Sequence, residues 1–85
     1  MNGAEVVQLA KKQLAQLTGL KPDTVSGMIQ EKDGWHITVE MIELKRIPES
    51  TDVLGTYESL VDEAGQLINY KRLRHYCRSD AIEAL

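Results

Sequence analysis

The fold is decided by residues 25–41, whose sequence is VSGMIQEKDGWHITVEM. Two stretches of alternating apolar and polar residues flank a central Lys32-Asp33-Gly34. The apolar positions are Val25, Gly27 and Ile29 before it, and Trp35, Ile37, Val39 and Met41 after it. Such alternation is typical of strands with one buried face, and Gly34 suits a tight turn because glycine tolerates positive φ. The stretch therefore predicts an antiparallel hairpin.

The alternation changes phase at Met41-Ile42, after which the apolar residues occupy even positions and continue with Leu44. A β-bulge would have this effect, because two residues of one strand then face one residue of its neighbour. A strand that is covered on both faces, with the second face buried by a partner, would also explain it. The sequence leaves both interpretations open.

An amphipathic helix is predicted over residues 2–18. Asn2 followed by Glu5 has the spacing of a capping box, with asparagine as the capping residue. The positions predicted to be buried recur at intervals of three and four residues. They are Val6, Val7, Ala10, Leu14 and Leu17. Thr18-Gly19 ends the helix, because glycine readily adopts the left-handed conformation that closes a helix.

Turn signals divide the rest of the chain into further strands. Pro48 to Asp52 predicts a loop, and Asp62 to Gly65 predicts a second tight turn. The predicted strands cover residues 25–31, 35–47, 53–61 and 67–78, and a short helical turn is predicted over residues 79–85. Because the connections are short, consecutive strands are expected to pair antiparallel. The predicted fold class is α+β: an N-terminal helix packed on one face of a four-stranded antiparallel meander sheet, in a single domain over residues 1–85.

The composition indicates an ordinary globular domain. The chain has 85 residues, of which 42% are hydrophobic and 27% charged. No apolar stretch approaches the ~20 residues needed to cross a bilayer, so no membrane association is predicted. Cys77 is the only cysteine, which excludes an internal disulfide, and a cytoplasmic location is predicted. The net charge of −3 argues against a general nucleic acid binder.

Residues with catalytic or metal-binding chemistry are present, but they do not form a recognisable site. His36 and His75 lie in different predicted strands, and a metal site would need further converging ligands. Cys77 shares a strand face with His75, but no acidic residue is evident that would orient the histidine. Ser50-Thr51-Asp52 predicts a turn in which these side chains bond nearby backbone. We therefore predict no enzymatic activity, no cofactor and no metal ion.

The last predicted strand has the most unusual pattern. It carries a Tyr/Arg ladder at alternate positions, consisting of Tyr70, Arg72, Arg74, Tyr76 and Arg78. Alternation puts the ladder on one face and Leu67 and Leu73 on the other. Tyrosine and arginine are enriched at protein interfaces, so the ladder is the predicted partner-binding site. Acidic residues such as Glu40 and Glu58 would instead make it an internal network if they neutralise it. Stacking of RNA bases on the tyrosines is a third interpretation, which the negative net charge weakens.

Several short motifs follow one another in order along the chain. They are Leu17-Thr18-Gly19, Asp33-Gly34-Trp35, Arg46-Ile47-Pro48-Glu49-Ser50-Thr51-Asp52-Val53-Leu54, Thr56-Tyr57-Glu58 and Tyr70-Lys71-Arg72. In this order and spacing, from about Val6 to Arg78, the chain resembles the gas vesicle protein O family. The stretch from Ile47 to Leu54 and the Tyr/Arg strand are the most specific parts of the resemblance.

The resemblance implies a non-enzymatic accessory protein required for gas vesicle formation. It would act through contacts with other gas vesicle accessory or shell proteins, without a cofactor, in the cytoplasm and in association with gas vesicles. The alternative is a regulator of gas vesicle gene expression that binds nucleic acid through the Tyr/Arg ladder. A homodimer, in which a second copy covers the sheet face that the helix leaves open, is a further prediction.

Overall fold

The computed structural model describes residues 2–79. It shows a helix followed by four strands, which are α1 (Gly3–Thr18), β1 (Lys21–Glu31), β2 (Gly34–Leu44), β3 (Val53–Val61) and β4 (Leu67–Cys77). The strands lie in the sheet in chain order, and each pairs antiparallel with the next. The predicted α+β class, with a helix on an antiparallel meander, is therefore confirmed. The helical turn predicted over residues 79–85 lies, apart from Ser79, outside the described residues.

Helix α1 begins and ends as the sequence predicts. The Asn2 side chain accepts a hydrogen bond from the Glu5 N–H at 2.9 Å, and Gly19 closes the helix with φ 74°. Leu14 is fully buried, as are two further predicted positions of the stripe, Val6 and Ala10. Leu17 is 62% exposed, so its predicted burial is wrong. After the reversal at Gly19, Leu20 packs against the core in its place.

The strand bounds differ from the predicted ones at the ends of the sheet. Strand β1 begins at Lys21 rather than at residue 25, and it includes Pro22 because an edge strand tolerates proline. Strand β2 ends at Leu44 rather than at residue 47, since the Arg46 N–H bonds the Asp52 carboxylate instead of the sheet. Strand β3 has the predicted bounds, and β4 ends one residue early.

The irregularity predicted near Met41-Ile42 is a bulge. Ile42 lies opposite Leu54 and Leu44 lies opposite Val53, so Glu43 is the extra residue on β2. Strand β4 contains an extra residue at Ile68 and another at Leu73, by the same reading of its register against β3.

Bulges in β1 overturn the predicted face of that strand. Val25 lies opposite the buried Val39. Ser26 is an extra residue, so the alternation shifts after it, and Met28 lies opposite the buried Ile37. Ile29, predicted to be buried, is 60% exposed. Each extra residue reverses which side chains point inward, and the sequence pattern does not show where it is inserted.

The core lies between α1 and one face of the sheet, which we call the helix face. Its buried residues are Val6, Ala10, Leu14, Ile37, Val39, Met41, Tyr57 and Val61. The Gln13 side chain fastens the helix to the β3–β4 turn, since it donates to the Gly65 carbonyl at 2.8 Å and accepts from the Leu67 N–H at 2.9 Å. The opposite side of the sheet, which we call the open face, carries polar residues such as Glu40 and Thr56. No helix within residues 2–79 is long and apolar enough to cross a membrane.

Candidate functional site

The Tyr/Arg ladder does not lie on one face of the sheet. Arg74 lies opposite Thr56 and Arg72 lies opposite Tyr57, so the extra residue Leu73 reverses the alternation between the two arginines. Neighbouring residues of β3 point to opposite faces, which puts Arg72 on the helix face and Arg74 on the open face. The prediction of a single shared face is therefore wrong. Leu73, predicted to lie opposite the ladder with Leu67, is 50% exposed.

On the open face, the carboxylate of Glu40 collects hydroxyl groups from three strands. Its oxygens accept hydrogen bonds from Thr56 and Tyr76, each at 2.6 Å, and from Ser26 at 2.7 Å. The Arg74 Nε bonds the Thr56 hydroxyl at 3.3 Å, and its guanidinium lies 4.9 Å from the centre of the Tyr76 ring. The cluster therefore joins β1, β3 and β4 through one side chain of β2.

This arrangement shifts two pKa values in opposite directions. Burial acts to raise the pKa of the Glu40 carboxyl, but the three hydroxyl donors and the charge of Arg74 outweigh it, so the pKa is lowered. Burial, together with the hydrogen bond to Glu40, raises the pKa of Tyr76 to about 12. Glu40 is thus held ionised and Tyr76 neutral, which suits a structural cluster and leaves neither group poised to exchange a proton near neutral pH.

On the helix face, Glu43 is the centre of a second polar cluster. Its carboxylate accepts the Tyr57 hydroxyl at 2.8 Å and lies 3.1 Å from Arg72 Nη1. Burial, together with the Glu43 hydrogen bond, raises the pKa of Tyr57. The Tyr70 ring lies 6.3 Å from the Tyr57 ring, centre to centre. One member of the predicted ladder, Arg72, therefore pairs with a carboxylate of its own chain, and another, Tyr70, lies beside the tyrosine bonded to that carboxylate.

The Glu43 cluster requires a glycine beneath it. A Cβ added at Gly55 would overlap the Glu43 carboxylate and lie 2.8 Å from the Tyr57 ring. We expect Gly55→Ala to lower the free energy of unfolding by about 1–3 kcal/mol, because Glu43 must leave its hydrogen bonds to make room. Urea unfolding measures this. Gly27→Ala is the matched control, since its Cβ would lie 3.4 Å from Thr38 Oγ1, which is tolerable. Equal effects of the two substitutions would contradict this account of Gly55.

The last member of the ladder, Arg78, follows β4 and connects it to β1 and to the loop before β3. The Arg78 guanidinium bonds the carboxylates of Asp23 at 3.2 Å and Asp52 at 3.4 Å. The Arg78 backbone N–H donates to the Asp52 carbonyl at 2.8 Å. Asp52 is 1% exposed, and its carboxylate also accepts the Arg46 N–H at 2.7 Å. That hydrogen bond is the main reason that the pKa of Asp52 is lowered, with burial opposing it and Arg78 adding to it.

The acidic residues that contact the ladder are mostly not those that the sequence suggested. Glu40 was suggested and does accept Tyr76, whereas Glu58 lies beside His36 at 3.9 Å. The other acidic partners are Glu43, Asp23 and Asp52. These three stand at a bulge, near the start of β1 and at the end of a loop, positions that strand alternation does not describe.

His36 is paired with an acidic residue of the β1–β2 turn. His36 Nε2 lies 2.9 Å from the Asp33 carboxylate, and this hydrogen bond is the main reason that the pKa of His36 is raised. Glu31, Asp33 and His36 could bring ligand atoms within 4.8 Å of one another, but the two acids are exposed at a turn and the His36–Asp33 pair accounts for the grouping.

The predicted turn at Ser50-Thr51-Asp52 is confirmed, with Thr51 Oγ1 donating to the Pro48 carbonyl at 2.8 Å.

Comparison with known proteins agrees with the resemblance in the sequence. Residues 1–82 match the family model described as gas vesicle synthesis protein GvpO. The chain belongs to this family. Gas vesicle protein O of Streptomyces sp. (strain CB03234) is 41% identical over 73 residues, which are 86% of this chain and 57% of that protein. No solved structure matches the chain.

Two further proteins named gas vesicle protein O or O1 are also similar to this chain. Gas vesicle protein O of Haloferax mediterranei is 38% identical over 53 residues, which cover 62% of this chain and 38% of that protein. Gas vesicle protein O1 of Halobacterium salinarum is 36% identical over 62 residues, which cover 69% of this chain and 52% of that protein. The chain thus spans between about two fifths and three fifths of the length of these relatives.

Proposed function

We propose that this chain is a non-enzymatic accessory protein of gas vesicle formation that acts by protein–protein contacts during shell assembly. Its partners would be other gas vesicle accessory or shell proteins, met in the cytoplasm or at the vesicle. Family membership supports the biological process, and the exposed edge strand β4 is the observation that supports contact as the mechanism.

Strand β4 is exposed along most of its length. Residues 68–75 are all exposed, and on one side of β4 no strand within residues 2–79 pairs with its backbone. Residues 67–79 include four cations, Lys71, Arg72, Arg74 and Arg78, and no acidic residue, while carboxylates of other segments pair with Arg72 and Arg78. Two β4 edges would bring like charges together if they paired, so this edge is better suited to an acidic surface of a different protein.

The polar clusters support a contact role over a catalytic one. The Glu40 carboxylate accepts three hydroxyl groups, and Glu43 accepts Tyr57 while it pairs with Arg72. Groups that are engaged in this way stiffen the sheet and are not free to act on a substrate. A stiff sheet that displays a charged strand loses little entropy when it binds, which favours specific contacts.

A gene deletion tests the process, and a pull-down tests the mechanism. We expect deletion of the gene to abolish or deform gas vesicles without changing the level of shell-protein transcript, and expression of the chain from a plasmid to restore them. Normal vesicles in the deletion strain would contradict the proposal.

For the pull-down, the purified chain is mixed in turn with each protein encoded beside the shell-protein gene. The double variant Arg72→Gln, Arg74→Gln is expected to bind its partner about 3- to 30-fold more weakly, because two exposed charges contribute to contact and to association rate. The control Lys12→Gln, Lys32→Gln removes the same charge elsewhere and is expected to bind normally. Equal binding by both double variants would place the contact away from β4.

Nucleic acid binding by the Tyr/Arg ladder has less support. Tyr70 and Tyr76 lie on opposite faces, so they do not form one stacking platform, and Arg78 is paired with Asp23 and Asp52. Salt-sensitive RNA or DNA binding that is lost in the Arg72→Gln, Arg74→Gln variant would favour this alternative.

Self-association through the open face stays a prediction, and a second copy would meet the polar Glu40 cluster there. Light scattering at high micromolar concentration measures the molar mass of the chain in solution, and a monomeric mass would count against the homodimer.

A further inference from the structure

The connection between β2 and β3 presents an isoleucine to solvent. The side chain of Ile47 is 100% exposed, whereas the other exposed large apolar residues among those described range from 39% to 62%. Scattered exposed apolar side chains are normal on protein surfaces, so exposure alone does not indicate a site. The way in which the loop around Ile47 is held is the second observation.

The loop is fixed at both ends by buried or short hydrogen bonds. Asp52, which is 1% exposed, accepts the Arg46 N–H at 2.7 Å on the near side of Ile47. On the far side, the Thr51 N–H and hydroxyl both donate to the Pro48 carbonyl, at 3.0 and 2.8 Å. Arg78 then ties Asp52 to β4 through its N–H at 2.8 Å. The position of Ile47 is therefore set by the sheet, as in a preorganised binding loop.

The residues before Ile47 define the chemistry of the loop tip. We call residues 44–48 the Ile47 tip, whose sequence is LKRIP. Leu44 is 49% exposed, and the Lys45 side chain is 58% exposed. Lys45 lies 3.8 Å from Glu49, but an ion pair this exposed contributes little and is readily exchanged for another. The tip thus combines an apolar end with two cations at its base.

We propose that the Ile47 tip is a second contact surface, which inserts Ile47 into an apolar pocket with an acidic rim on a partner protein. This inference rests on the proposed role in gas vesicle assembly and adds a surface distinct from β4. A protein pocket is favoured over a lipid surface because one isoleucine on a rigid loop offers too little apolar area for stable membrane binding. Full burial of an isoleucine is worth a factor of about 10 to 100 in a binding constant, enough to decide specificity.

The exposure of Ile47 allows a test in which folding is not affected. Ile47→Asp is expected to unfold within about 2 °C of the unchanged chain, because a fully exposed side chain contributes little to stability. In the deletion strain, expression of Ile47→Asp is expected to give at least about tenfold fewer gas vesicles than expression of the unchanged chain, because burying a charge in an apolar pocket is costly. Expression of Ile47→Val is expected to restore the normal yield. Ile29→Asp, at the isoleucine of β1 that is 60% exposed, is the matched control and is expected to support vesicles. Normal vesicles with Ile47→Asp would overturn the inference.

A photo-crosslink identifies the pocket directly and does not depend on the vesicle phenotype. The photoreactive residue p-benzoyl-phenylalanine replaces Ile47 in cells that make gas vesicles, and the crosslinked peptide is sequenced by mass spectrometry. We expect a peptide of one gas vesicle protein with apolar and acidic residues together, and at least a tenfold loss of the crosslink in the Lys45→Glu, Arg46→Glu background. The same probe at Glu63, in the β3–β4 turn, is the control.

Two results, one from the crosslinking and one from a lipid sedimentation assay, would overturn the inference. One is a yield at position 47 no greater than at position 63. The other is sedimentation of the chain with anionic lipid vesicles that is lost with Ile47→Asp, which would assign the tip to a membrane. If the deletion strain makes normal vesicles, the proposed role fails, while the crosslink still decides whether the Ile47 tip enters a protein pocket.

Discussion

Replacing Leu14 with alanine is expected to lower the free energy of unfolding by about 3–4 kcal/mol, because a fully buried leucine leaves both lost transfer energy and a cavity. Leu17→Ala, one turn later, is expected to change it by less than about 0.5 kcal/mol, since that leucine is 62% exposed and alanine is a strong helix former. Urea unfolding followed by circular dichroism measures both values. The pair is matched, because both substitutions remove the same atoms from the same helix.

The two leucines show what helical periodicity can predict. Leu17 follows Leu14 by three residues, so both point toward the same side of α1, and the pattern alone ranks them equally. Burial also requires an opposing surface, and after Gly19 the chain supplies that contact with Leu20. A loss of more than about 2 kcal/mol from Leu17→Ala would mean that the last turn of the helix is packed as the periodicity predicts.

The order of elements was predictable because each depends on local signals. Alternation, the turn at Lys32-Asp33-Gly34 and the capping residues Asn2 and Gly19 suffice for a helix followed by a meander. The bounds of β3 were predicted correctly for the same reason, since a loop and a tight turn enclose it. The start of β1 was not, because an edge strand accommodates Pro22, and neither was the end of β2, where a loop hydrogen bond to Asp52 competes with the sheet.

The Tyr/Arg ladder could not be placed from the sequence. Tyrosine and arginine are amphipathic, so their alternation with Leu73 and His75 fits either face, and one inserted residue exchanges the faces. The register places that insertion at Leu73, between the two arginines of the ladder. The resulting split distributes the cations over both sides of an edge strand, where they are better suited to contact at the edge than on a face.

Glu40 and Glu43 show why the acidic partners were difficult to predict. The two carboxylates are three residues apart on β2 and therefore point to opposite faces, and Glu43 is itself the extra residue of the bulge. Glu40 accepts Tyr76 on the open face, and Glu43 contacts Tyr57 and Arg72 on the helix face. Each cluster joins β2 to β4 across the intervening β3, which makes the edge strand part of one stiff unit with the centre of the sheet.

Replacing Glu40 with alanine is expected to lower the free energy of unfolding by about 2–4 kcal/mol, because the hydroxyls of Ser26, Thr56 and Tyr76 lose their shared acceptor. Glu58→Ala is the matched control on the same face, where the carboxylate lies 3.9 Å from His36 and its side chain is 35% exposed. It is expected to cost less than about 1 kcal/mol. Urea unfolding at pH 7 separates the two, and similar losses would contradict a central role for Glu40.

The same carboxylate should also be visible in the pH dependence of stability. Because the folded-state pKa of Glu40 is lowered from its ordinary value of 4.5, its ionised form stabilises the fold above that pH. This stabilisation is expected to disappear as the pH falls through the folded pKa, where the carboxyl takes up a proton and stops accepting all three hydroxyls. Glu40→Gln removes the titrating group while keeping one acceptor oxygen, so its stability should fall less steeply than that of the unchanged chain below pH 4.5. Parallel curves for the two proteins over this range would show that the three hydroxyls do not hold Glu40 ionised.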